Sequence, residues 1–319
     1  MEKVFFDKAF GVLNKYSAII ALAIVVLYGA LFVPNFLREA NMTAILYQYS
    51  IIGFLALGQL LVILTGGIDL SQGSFVALTS VVAATIMVHA GAIPAALGAL
   101  ILCGGLGLVS GIIVAKTKIP AFVATLGMLG IGRGLAKFIA NAKPIPIQND
   151  LFKSLGRAEL FGIPVCFLLW ILVCILLFWF LKKRRLGRYI YAVGSSEESA
   201  RLAGINIART KMFVYMMASL FTAFGGLIWA ARLGSASPIG GMNYEMESIA
   251  AVVVGGGSLN GGVGSVLGTA AGVLLFGVIN SILNLSGISP FWQGAIKGII
   301  ILLAVAISQL QRRRNSKYK

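Results

Sequence analysis

Apolar positions in this chain come in long runs rather than in stripes. Runs near twenty residues with almost no charge recur from one end to the other, each long enough to cross a hydrocarbon layer of about 30 Å as a helix. The expected spans cover residues 17–33, 43–64, 74–90, 95–115, 120–140, 164–181 and 211–231, a short one at 248–255, then 263–285 and 290–310. The pattern predicts an all-α fold, a polytopic membrane helical bundle of about ten transmembrane helices, some short or broken. Residues 1–16 read as a polar, interfacial lead without the pattern of a cleavable signal. Residues 17–310 form a single transmembrane domain, and 311–319 a basic tail.

Two of the runs end in glycine rather than in charge. Thr65-Gly66-Gly67-Ile68-Asp69-Leu70-Ser71-Gln72-Gly73 holds one carboxylate between apolar runs. Gly255-Gly256-Gly257-Ser258-Leu259-Asn260-Gly261-Gly262 interrupts the short eighth run with the same apolar-then-glycine pattern. Broken membrane helices are tolerated where protein or a water-filled cavity satisfies the freed backbone groups. Gly66, Gly67, Asp69, Ser71, Gly256, Gly257 and Asn260 are therefore candidates for lining a polar path. Tight helix packing explains the glycines equally well, and Asp69 with Ser71 and Ser74 suits a capped helix start. Arg133 and Lys137 share one face of the fifth run. Lys137 is expected to snorkel to an interface, which leaves the deeper Arg133 as the path candidate. Lys297 in the last run has the same ambiguity, and His89 reads as interfacial.

The composition is 59% hydrophobic and 11% charged, with 39 glycines that let membrane helices approach closely. The net charge of +16 gathers in the lead, the 116–118 turn, the 182–211 loop and the tail. That is the positive-inside distribution, which places this loop and both termini in the cytoplasm and residues 141–163 outside. It also accounts for Arg312-Arg313-Arg314 without nucleic acid as a partner. Both termini being basic, the number of crossings should be even, so the short eighth segment is expected to pass through with a break. Cys103, Cys166 and Cys174 lie in apolar runs without metal spacing and read as packing residues.

The 182–211 loop carries Lys182, Lys183, Arg184, Arg185, Arg188, Arg209 and Lys211 around a short polar segment, residues 195–204. Ser195 and Glu198 have capping-box spacing, with Ser196, Glu197 and Arg201 between and beyond them, and Gly204 supplies the left-handed stop. A capped polar helix between two spans has no core to join, so something outside the membrane should receive it. The chain has no G-x-x-x-x-G-K-[ST] phosphate loop and few carboxylates within spans, so neither nucleotide hydrolysis nor ion coupling has an evident seat. No cofactor or metal site is expected.

Three segments carry a family resemblance. Gly66 to Gly73 resembles the G-G-I-D-L-S-x-G signature of ribose-type sugar ABC permeases. Gly187-Arg188-Tyr189-Ile190-Tyr191-Ala192-Val193-Gly194 followed by Ala200-Arg201-Leu202-Ala203-Gly204-Ile205 is similar to that family's cytoplasmic loop, with Ser199 where the family often has Ala. Gly255 to Gly262 is similar to its third hallmark. The resemblance covers roughly residues 45–310. It implies a permease subunit, not an enzyme, of an ATP-driven importer in a bacterial cytoplasmic membrane. Its partners would be ATP-binding cassette ATPase subunits, a second permease copy or homologue, and an extracytoplasmic sugar-binding protein, all around a lipid bilayer. The helix at 195–204 would then couple to the ATPase. A branched-chain amino-acid permease is the neighbouring alternative, and a lone ion-coupled carrier the more distant one.

Overall fold

The computed structural model describes residues 17–117, 119–289, 291–300, 302 and 306. The lead at 1–16, Lys118 and the tail at 311–319 lie outside them. The helices are α1 (Ser17–Phe32), α2 (Glu39–Leu64), α3 (Gln72–Ala90), α4 (Ala92–Lys116), α5 (Ala121–Ile139), α6 (Asp150–Arg157), α7 (Val165–Lys183), α8 (Arg185–Ser195), α9 (Glu197–Leu202), α10 (Ile207–Leu233), α11 (Tyr244–Val254) and α12 (Val266–Leu285). Residues 291–300 are also helical. Among the described residues, seven helices are long and apolar enough to cross a membrane: α2, α3, α4, α5, α7, α10 and α12. α1, at 16 residues, is a shorter apolar helix. The chain is an all-α bundle, a multi-pass membrane protein.

α2 is the axis. Every residue from Tyr49 to Leu64 is buried, Ser50 and Gln59 included, so its apolar character runs all the way round as a helix enclosed by protein requires. α10 lies along it, and Gly58 makes the contact close: a methyl there would stand 2.8 Å from the Ala218 carbonyl oxygen. α4 packs on the other side of α10 through Gly104, Gly107 and Gly111, spaced to put small residues on one helical stripe. α12 and α11 close the remaining flank of α2.

α5 and α7, at 19 residues each, are about 28 Å long and join the two ends of the bundle. One end carries α8 and α9. The far end carries residues 141–163, which are not a plain loop. They hold β1 (Ile145–Pro146), α6, β2 (Glu159–Leu160) and β3 (Ile163–Pro164). β1 pairs antiparallel with β4 (Ser235–Ala236), tying the segment to the end of α10, while β2 and β3 form a hairpin. α6 is capped by Asn149, whose side chain accepts from the Phe152 amide at 3.0 Å, and it buries Phe152 in the bundle.

Most expected spans are displaced by only a few residues, because polar end residues continue a helix once their backbone can. Two corrections are larger. The eighth segment was expected at 248–255; α11 begins earlier, at Tyr244, with Glu245 and Glu247 in its first turn, where the helix dipole favours acidic groups. At 11 residues it spans about 16 Å, half a hydrocarbon layer. The basic loop is also mostly helical: Lys182 and Lys183 finish α7, and Arg209 and Lys211 open α10.

Candidate functional site

The two glycine breaks are built alike. α2 ends with Gly66 N–H donating to the Ile63 carbonyl and Gly67 N–H to the Val62 carbonyl. α11 ends with Gly256 N–H donating to Val253 and Gly257 N–H to Val252, the same two steps back along the chain. Gly66 and Gly256 both have positive φ, +78° and +88°, the left-handed turn that closes a helix at least cost with glycine. The sequence echo is thus a repeated helix ending.

Beyond Gly67 the chain runs without helix to Ser71, and two side chains from neighbouring helices satisfy its backbone. Thr125 of α5 donates to the Ile68 carbonyl at 3.0 Å and accepts from the Leu70 amide at 3.1 Å. With its side-chain oxygen and nitrogen assigned to suit the facing backbone, the Gln59 amide of α2 accepts from the Asp69 N–H at 3.2 Å and donates to the Asp69 carbonyl at 3.1 Å. This accounts for non-helical backbone at membrane depth. Asp69 is 1% exposed; its Oδ1 accepts from the Ser71 amide at 2.9 Å and the Ser71 hydroxyl at 2.6 Å, so it fastens the entrance of α3. Gln72 then donates to the Leu55 carbonyl at 3.0 Å, nine residues back along α2. α3 therefore starts about 13 Å inside the end of α2.

A buried polar column continues from there. Ser248 of α11 donates to Gln72 Oε1 at 2.6 Å, and Glu245, 8% exposed, packs its carboxylate against Gly73. Arg133 is half-buried; its Nη1 donates to the Pro238 and Gly240 carbonyls at 3.0 and 2.8 Å and so clamps the turn before α11. Glu247 pairs with Lys297 at 2.6 Å, joining α11 to the last helix. Neither Glu245 nor Glu247 is among the residues singled out from the sequence, although both lie just before the apolar run at 248–255.

At the α8–α9 end the two breaks meet. Gly262 N–H donates to the Leu64 carbonyl at 3.0 Å. Gly194 of α8 sits between them, where a methyl would collide with that Leu64 carbonyl and stand 2.6 Å from the Gly262 nitrogen. Tyr191 of α8 donates to the Gly264 carbonyl at 3.0 Å, and burial pushes its phenol above the usual range. Under this junction lies a cavity of about 400 Å³ lined by Gly66, Gly67, Asn260, Tyr215, Glu197 and Lys211, among others.

α9 is not capped as expected. Ser195 is the last residue of α8 and its hydroxyl donates back to the Tyr191 carbonyl at 2.9 Å, whereas Ser196 caps α9 by accepting from the Ser199 amide at 3.1 Å. The Ser195–Glu198 capping box is therefore replaced by a cap one residue later. Gly204 has φ +78° and ends the helix, as expected. Glu197 pairs with Lys211 at 2.5 Å, which ties α9 to α10. Arg188, Glu198 and Arg201 are exposed, and Leu202 is 85% exposed, an apolar residue presented outward from a polar helix.

Of the predicted path residues, Gly66, Gly67 and Asn260 come together on the cavity wall. Asp69 and Ser71 lie buried behind it, Gly256 and Gly257 shape the second turn, and Arg133 stands apart on the loop clamp. Tyr215 and Lys211 were missed as site residues; no local pattern marks them, since only folding brings α10 under the breaks.

Non-helical breaks beside a polar cavity, with a capped polar helix outside the spans, suit a membrane transport protein. The chain matches the family described as branched-chain amino acid transport system / permease component over residues 41–305, and it belongs to that family. The ribose import permease protein of Escherichia coli is 41% identical over 308 residues, 95% of each chain. That of Bacillus subtilis is 39% identical over 314 residues, 97% of this chain and 96% of the relative. An L-arabinose transport system permease protein of Escherichia coli is 36% identical over 303 residues, 94% and 92% of the two chains. No solved structure matches the chain. The family and these relatives are transport permeases, not enzymes.

Proposed function

We propose that this chain is the membrane-spanning permease subunit of an ATP-driven importer of simple sugars, pentoses first. The observation that carries the reading is Gly194 wedged between Leu64 and Gly262, which makes α8 and α9 inseparable from both helix breaks. A push on the exposed side of α9, where Glu198, Arg201 and Leu202 stand, reaches the Glu197–Lys211 pair and, through Gly194, the two turns that roof the cavity. ATPase subunits seated on this surface would supply that push. Arg188, Ser195 and Gly204 belong to the same coupling unit, and a second permease copy or homologue completes the membrane part.

Gly66, Gly67 and Asn260 form the chamber wall. Asp69 and Ser71 belong to the polar column behind it, closed in this conformation, Arg133 holds the loop before α11 at the far end of the path, and Gly256 and Gly257 let the second turn bend. The α8–α9 end and both termini face the cytoplasm of a bacterial inner membrane, and the far end receives the sugar-binding protein. There Tyr47, Arg157, Glu159 and Arg232 line an open cleft of about 550 Å³. The named relatives favour a sugar over a branched-chain amino acid.

The test is uptake into proteoliposomes holding this chain with its ATPase and binding-protein partners. D-ribose should accumulate only with ATP inside the ATPase compartment, and L-leucine should not compete. Accumulation driven by an ion gradient without the ATPase would sink the reading in favour of a lone carrier.

A further inference from the structure

The chamber beneath the breaks contains one group without a partner. Tyr215, on α10, is 1% exposed, and its hydroxyl has no hydrogen-bond partner among the described residues. Buried hydroxyls are nearly always paired, because an unpaired one forfeits its water without replacement. The hydroxyl lies directly under Gly67, where any methyl would collide with it, and it is closed to solvent here, so only the glycine backbone screens it from the cavity. Behind it the other polar groups are already engaged: Gln59 with the Asp69 backbone, and the Asp69 carboxylate with Ser71.

The rest of the lining says what could reach that hydroxyl. Lys211 and Glu197 neutralise each other at 2.5 Å, so the wall carries no net charge to hold an anion or a cation. Thr65 spends its proton on the Val62 carbonyl, which leaves its oxygen as an acceptor, whereas Thr117 on the rim both donates to the Ile113 carbonyl and accepts from the Ile119 amide. The exposed Asn260 side chain can donate and accept. The volume of about 400 Å³ is within the range of small-molecule sites, about 300–1,000 Å³. Acceptors, one orphan hydroxyl and no net charge match a small neutral polyol.

Resting on the importer reading above, we infer that this chamber is a binding station for a neutral monosaccharide, engaged through the Tyr215 hydroxyl once the backbone at Gly67 shifts aside. The station lies at the α8–α9 end of the subunit, after the closed polar column, so it holds sugar at the last stage of passage. Selectivity there is for hydroxyl number and neutrality.

The natural cysteines, Cys103, Cys166 and Cys174, are all buried, so a cysteine placed on the chamber rim reports alone. Thr117→Cys, in the full chain purified in lipid nanodiscs, is reacted with a maleimide across a concentration series of D-ribose, L-arabinose or L-leucine. Either pentose should slow the reaction saturably, and L-leucine should not. Tyr215→Phe in the same background should leave the sugar-free rate unchanged and raise the half-protecting concentration about tenfold, the loss of one hydrogen bond. Ile119→Cys serves as a second reporter should the first variant fail to fold. Pentose-independent labelling at both positions, or protection equal in Tyr215→Phe, overturns the station. ATP-driven ribose uptake without protection overturns the station alone, whereas absence of ATP-driven uptake of any sugar by the assembled importer overturns the reading beneath it.

Discussion

Gly194 and Gly130 are both glycines in helices, and they are opposite cases. A methyl on Gly194 would strike the backbone of Leu64, which cannot rotate away, whereas nothing stands within 4 Å of one on Gly130. Gly194→Ala should therefore lower stability by about 1–3 kcal/mol as an overpacked contact does, and should reduce ATP-driven uptake further than that loss predicts. Gly130→Ala should be neutral or slightly stabilising, since alanine is favoured over glycine in a helix by about 1 kcal/mol. Thermal melting of the purified variants, beside uptake normalised to inserted protein, separates the two. Equal melting temperatures for both variants would remove the wedge from the coupling argument.

Among the elements, α9 and α11 are short helices that each hang on a few polar contacts. Ser196→Ala should destabilise α9 by about 0.5–2 kcal/mol, the cost of a lost cap, and weaken retention of the ATPase on co-purification, while Ser195→Ala should do neither. The reverse result would restore the Ser195 cap. For α11, breaking the Glu247–Lys297 pair by Glu247→Leu leaves a lysine uncompensated inside the bundle and should cost about 3–5 kcal/mol. The exchange Glu247→Lys with Lys297→Glu should recover much of it, read by melting temperature. That both helices exist was legible, since the Gly204 stop and the apolar run at 248–255 are local signals. Their starts were not. Two adjacent serines can each cap α9, and the choice fell to Ser196 because α8 runs on through Ser195. The glutamates of α11 look like loop residues until Lys297, fifty positions away, supplies the partner that lets one of them enter the bundle.

The whole molecule was legible as a bundle, because apolar length alone demands spanning helices. Its interior was not. Nothing in residues 65–71 announces that Thr125 and Gln59 will satisfy their backbone, or that Tyr215 will lie beneath Gly67. Those partners come from elements far apart in the chain. Orientation follows from charge and is open to direct test. Asp150→Cys, at the exposed start of α6, should react with an impermeant maleimide added outside intact cells, and Arg201→Cys only after the membrane is permeabilised. Labelling of both from outside would contradict the proposed sidedness.

The enclosure of α2 also sets an order of events in time. It leaves the ribosome before every helix that later surrounds it, because segments nearer the N-terminus are made first. Until α7 brings Trp170 and α10 brings Ala218, the notches at Gly53 and Gly58 stand unfilled, and Gln59 has only the Asp69 backbone, ten residues on, to satisfy it. The all-round apolar surface of α2, which the finished bundle hides, is what lets it wait in the membrane. A nascent chain halted before α10 would leave α2 only partly covered, a form that quality-control proteases should recognise and remove.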